Sequence, residues 1–75
     1  MKKFLRKVQM FQRELKVNNS LSTYYDEDGL WVVFSIRMSE NKFDTLHLYG
    51  FYEPEEKEKN LDDFINEHRE KCPTF

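Results

Sequence analysis

The hydrophobic positions follow three rhythms along the chain. Over residues 2–17, Phe4, Val8, Phe11 and Leu15 recur at the spacing of one helical face. Lys2, Arg6, Gln9, Arg13 and Lys16 recur on the opposite face, with Leu5 and Met10 flanking the apolar stripe. The spacing predicts a helix over about 2–17. Asn18, Asn19 and Ser20 should end it, because their side chains compete for backbone hydrogen bonds.

The rhythm then changes to alternation, which predicts strands over about 21–25, 30–38 and 43–52. In the middle one, Leu30, Val32, Phe34, Ile36 and Met38 point one way, and Trp31, Val33, Ser35 and Arg37 the other. In the third, Leu46 and Leu48 oppose His47, Tyr49 and Phe51. "SENK" at 39–42 is turn chemistry. "EPEEKEK" at 53–59 reads as a charged connection, although Pro54 suits a first helical turn. A second helix is expected over about 60–71, from the stripe Leu61, Phe64, Ile65, His68 and Cys72. Asn60 would cap it, Asp63 would favour its free amides, and Pro73 would stop it.

The order α-β-β-β-α with short connections predicts a small two-layer α+β domain. Its three-stranded antiparallel meander should carry both helices on the face of Leu30, Val32, Phe34 and Ile36. The order resembles that of double-stranded RNA-binding domains, among others, and order alone carries no function. The basic cluster that such domains carry at the start of their second helix is missing: Asn60, Leu61, Asp62 and Asp63 stand there and would repel phosphate.

Composition sharpens this picture in few places. Seventy-five residues suit one domain, marginal in stability. Aromatic residues make up 16% of the chain, a large apolar payload for its size. The net charge is −2, but residues 1–42 carry eight Lys/Arg against five Asp/Glu and residues 43–75 carry four against nine. A single cysteine, Cys72, gives no internal disulfide. The opening "MKKFLRKVQMF" is too interrupted by charge for a signal peptide, and no apolar run reaches membrane-spanning length, so a cytoplasmic protein is expected. Abundant Lys, Asn, Phe and Tyr fit an AT-rich bacterial or phage genome.

Few residues form patterns that carry chemistry. "YYDEDGLWVVF" at 24–34 holds two acids beside Asp28-Gly29, which raises the question of calcium. With Gly29 at position 6 of an EF-hand loop, positions 1 and 12 are Tyr24 and Ser35; with Asp26 at position 1, positions 5 and 6 are Leu30 and Trp31. Neither register supplies the ligands, whereas Asp-Gly between strand-like flanks is a hairpin signal. His68 and Cys72 could face one zinc ion, but a structural site needs four ligands and only His47 remains. A Cys–His nucleophile at a helix end before Pro73 would lack rigid support. No phosphate-binding glycine loop and no nucleophile elbow occurs. A non-enzymatic, cofactor-free protein is therefore expected.

Two surfaces remain. The basic face of the first helix, Lys2, Arg6, Arg13 and Lys16, could contact phosphates or an anionic membrane; because its apolar stripe is needed over the sheet, the membrane is set aside. The other surface is the second sheet face, where Tyr24, Trp31, Val33, Tyr49 and Phe51 gather with Arg37 and His47 and no element is left to cover them. Aromatic patches of this kind mark interfaces. The expected role is protein binding, of adaptor or inhibitor type and suited to a phage-encoded inhibitor, through the aromatic face or the acidic second helix. The partner would be another protein or a second copy in a homodimer. Nucleic-acid binding by the first helix is the runner-up.

Overall fold

The computed structural model describes residues 2–74, with side chains from Phe4 onward. Helix α1 (Lys2–Glu14) leads into strands β1 (Asn19–Asp26), β2 (Gly29–Ser39) and β3 (Lys42–Leu48), and helix α2 (Pro54–Lys71) closes the order α-β-β-β-α. The strands form an antiparallel meander, β1-β2-β3. Each pair is joined by a tight turn, with Asp26 facing Gly29 and Ser39 facing Lys42.

Both helices lie on one side of the sheet. Phe4, Val8, Phe11 and Leu15 of α1 and its end meet Leu30, Val32, Phe34 and Ile36 of β2, Leu46 and Leu48 of β3, and Leu61, Ile65 and Cys72 from the α2 side in one core. The Phe34 ring is held between Phe11 at 6.2 Å and Phe64 at 5.9 Å, both in tilted or edge-on geometry. The Cα envelope measures 35 × 21 × 16 Å. Its short axis holds one sheet and one helix layer, which pack about 10 Å apart. A third layer has no room.

Four boundaries differ from the sequence reading. Helix α1 ends at Glu14 rather than near residue 17, because the C-terminal segment competes for its last turn: Leu15 bridges to Thr74, and the Lys16 amide donates to the Pro73 carbonyl at 3.0 Å. Strand β1 is longer than 21–25, since its ladder with β2 runs from Asn19↔Ile36 to Asp26↔Gly29. Strand β3 stops at Leu48, and Tyr49–Tyr52 forms a turn closed by the Tyr52 amide on the Tyr49 carbonyl at 3.1 Å. Helix α2 begins at Pro54, so Asn60 lies inside the helix rather than capping it. The charged run hides a helical start because its buried residue is a lysine. Lys57 covers the core with its stem and sends its ammonium to the Leu30 carbonyl at 3.4 Å.

The Asp26–Gly29 stretch forms the β1–β2 turn. The Asp26 carboxylate accepts the Asp28 amide at 2.8 Å, and Gly29 takes φ of +115° as the chain enters β2. The acid is a turn-former, and among the described residues no three His, Cys, Asp or Glu side chains group as metal ligands.

Candidate functional site

The sheet face turned away from the helices is built by the odd-numbered residues of β2. Register places Tyr24 beside Trp31, Ser22 and His47 on either side of Val33, Ser20 and Thr45 on either side of Ser35, and Phe43 beside Arg37. The face therefore grades from rings at one end, through hydroxyls joined at 3.0 Å (Ser35 Oγ and Thr45 Oγ1), to Arg37 and Phe43 at the other.

The aromatic end is a connected network around Trp31. Tyr24 stacks on Trp31 with centroids 5.4 Å apart, and Tyr49 and Phe51 meet it edge-on at 5.3 and 5.8 Å. Tyr49 in turn stacks with His47 at 5.6 Å and with Phe51 at 5.3 Å. Tyr52 stands edge-on to both Tyr49 and Phe51. The turn after β3 makes this possible by folding back beside the β1–β2 hairpin: a Cβ at Gly50 would sit 2.5 Å from Trp31 Nε1 and 3.2 Å from the Asp28 carbonyl carbon. Only a residue without a side chain lets the turn approach so closely. The outer rings stay open to solvent, with Tyr24 50% and Phe51 62% exposed.

Trp31 Nε1 is buried and has no hydrogen-bond partner among the described residues. Leaving such a donor unpaired costs about 1–3 kcal/mol. The ring contacts and the close approach of Gly50 are what oppose that cost.

Of the candidates named from the sequence, Tyr24, Trp31, His47, Tyr49 and Phe51 are brought together, and Val33 lies half-buried beside His47. Tyr49 and Phe51 reach the face from a turn rather than from β3. Arg37 shares the face but not the patch. Six residues of strand, about 20 Å, separate it from Trp31, and its guanidinium folds onto the Ser39 and Glu40 carbonyls. Tyr52 belongs to the network and was missed; it sits next to Glu53 in a segment whose strand-like alternation would have turned it toward the core. Phe43, 60% exposed at the far end, was also missed.

A second group of chemistry-bearing residues lies under α2. His68 is buried, with Nδ1 2.8 Å from the Phe64 carbonyl and Nε2 2.8 Å from Asp44 Oδ2. The hydrogen bond from His68 is the main cause that holds the Asp44 carboxyl below its ordinary range, with Lys42 and Lys71 adding to it. Burial pushes the Cys72 thiol up, and its sulfur lies 3.6 Å from Met38 Sδ. Both ring nitrogens of His68 are occupied and the thiol is turned to a thioether, so the group works as a fastening between α2 and β3.

On the first helix, Arg6 and Arg13 are exposed and line a shallow concavity with Gln9 and Met10. Lys16 is exposed at the end of the helix, and the Lys2 side chain lies outside the described residues. Among the described residues no helix is long and apolar enough to cross a membrane. No family model matches the chain, and neither a curated protein nor a solved structure matches it.

Proposed function

We propose that this protein is a non-enzymatic binding module of adaptor or inhibitor type that grips another protein through the aromatic end of its open sheet face. The observation that carries this reading is the continuous ring network of Tyr24, Trp31, His47, Tyr49, Phe51 and Tyr52, which no described element covers. Trp and Tyr present large, rigid area with little side-chain entropy to lose, which is why they dominate interface energetics. The rings pack against one another and present their outer edges and faces to solvent, which suits a surface rather than an enclosed small molecule. A phage-encoded inhibitor of a host protein is one form such a module takes.

The test compares wild type with Phe51→Ser and Trp31→Ala as immobilised bait in lysate of the cell that makes the protein, with folding of each checked by circular dichroism. A protein retained by wild type and lost with both folded variants supports the reading. Equal retention by all three refutes it.

A second reading, nucleic-acid binding by α1, is favoured by one observation: Arg6 and Arg13 lie exposed on one face, one above the other. Phosphate contacts would weaken steeply with salt and vanish with Arg6→Gln and Arg13→Gln, whereas an aromatic protein interface would survive both.

A further inference from the structure

The charges around the aromatic end are one-sided. The β1–β2 turn brings Asp26, Glu27 and Asp28 to the edge of the ring network, next to the Tyr49–Tyr52 turn that Gly50 holds against it. The chain then runs directly from Tyr52 into Glu53, Glu55 and Glu56 at the start of α2. All six carboxylates are exposed, and none forms an ion pair with a described residue. Several acids elsewhere are matched, Glu14 to Arg69, Asp62 to Lys7, Glu67 to Lys71 and Asp44 to His68, whereas Glu40, Asp63 and Glu70 stand singly among the described residues and away from the rings. Of the two lysines that follow in the same segment, Lys57 is buried and turns its ammonium inward to Leu30, while Lys59 is exposed, so the acids outnumber the exposed cation.

Resting on the docking face proposed above, we infer that the partner presents arginines: the rings receive guanidinium planes while the surrounding carboxylates receive their N–H groups. The two features select the same side chain. A guanidinium stacks on an aromatic face and pairs with carboxylates through a planar fork, whereas an ammonium is a compact, strongly hydrated charge that does the first less well. Phosphate-bearing partners are excluded by the same rim, because six unneutralised carboxylates raise the cost of bringing polyanions near the rings. The occupant is thus a basic segment of another protein rather than an exposed stretch of nucleic acid.

The test uses an octa-arginine peptide and an octalysine peptide of equal charge. Trp31 is the sole tryptophan, so its fluorescence reports occupancy of the site directly. Saturable binding is expected, tighter for octa-arginine by at least about fivefold, because stacking adds to charge. Neutralising Glu53, Glu55 and Glu56 to Gln should weaken octa-arginine by about tenfold. Glu27→Gln with Asp28→Asn, on a different element and sparing the Asp26 turn bond, should weaken it independently, so a helix that frays in the first variant does not leave the question open. Phe51→Ser should remove most of the preference for arginine. Asp63→Asn with Glu70→Gln, farther along α2, should change nothing.

Equal affinity for the two peptides, or binding indifferent to Phe51, would mean a loose ionic atmosphere and would overturn the inference. So would an octa-arginine titration that leaves Trp31 undisturbed. If octa-arginine fails while a protein from lysate is still captured through Trp31 and Phe51, the arginine assignment falls and the docking face stands. If capture ignores both rings, the docking face itself falls.

Discussion

The side chains that hold this fold and those that face outward differ in what their removal should cost. Phe34 is 1% exposed and wedged between two rings from opposite helices. Phe34→Ala should therefore lower stability by about 3–5 kcal/mol in urea denaturation, since neither helix can collapse into the space without losing its contacts elsewhere. Trp31 faces the other way, yet it is half-buried, and its ring is enclosed by Tyr24, Tyr49, Phe51 and Gly50. Trp31→Ala should cost about 1–3 kcal/mol, more than a free surface ring would. Phe51→Ser, at a site 62% exposed, should stay within about 0.5 kcal/mol. Gly50→Ala is the sharpest of these changes. A methyl 2.5 Å from Trp31 Nε1 must push the indole or the turn aside, at a cost of about 1–3 kcal/mol and with a visible shift in Trp31 emission.

Elements were legible in the sequence wherever a side chain's polarity matched its burial. The stripe of α1 and the alternation of β2 both land as the spacing implies: Phe4, Val8, Phe11 and Leu15 are buried, and so are Leu30, Val32, Phe34 and Ile36. The errors fall where that match fails. The first turns of α2 carry no apolar stripe, because Lys57 fills an inward position with its methylenes. The chain from His47 to Phe51 continues an alternation after hydrogen bonding to β2 has stopped at Leu48, so the turn carries a strand-like pattern. The last turn of α1 is lost to a contact with Thr74 that no local pattern could disclose. The ring patch was legible because parity along β2 assigns its face; its acidic rim was not, because only folding brings Asp28 beside Gly50. The fastening between α2 and β3 also needed the fold, since His68 and Asp44 are far apart in sequence and 2.8 Å apart in space. Asp44 is held below its ordinary carboxylate range, so the unfolded chain binds its proton more tightly than the folded one. Its stabilising contribution is complete above the unfolded value near 4 and disappears as pH falls through the folded value. Asp44→Asn should lower stability by about 1.5 kcal/mol at pH 7 and flatten the acid limb of the stability profile, measured by urea midpoints from pH 2 to 7.

At the scale of the whole molecule, the surface charge is used twice. Part of it clasps the two helices together: Lys7 reaches Glu58 and Asp62, and Arg69 forks onto Glu14 while lying over the Phe11 ring at 5.8 Å. The Lys7 pairs are part-buried and the Arg69–Glu14 pair is exposed and worth under about 1 kcal/mol, so the latter orients the helices more than it stabilises them. Six exposed acids are left unmatched at the aromatic end, and there they bear on which occupant the face accepts. Two copies meeting face to face by a twofold axis would bring two sets of rings into contact, but also two sets of Asp26, Glu27, Asp28, Glu53, Glu55 and Glu56. Like charges so close oppose the pairing that the rings favour, and salt weakens that opposition without weakening ring contacts. Light scattering at pH 7 and low ionic strength should therefore report a monomer across a wide range of concentrations. Any dimer should grow with added salt and be abolished by Phe51→Ser. Binding of an arginine-bearing partner must respond in the reverse direction, strongest in dilute salt and weakened as the rim is screened. A dimer at low salt that dissolves as salt is raised would mean that the acidic rim attracts a basic surface of a second copy, and would move the occupant of the aromatic face from a foreign protein to the exposed arginines of α1.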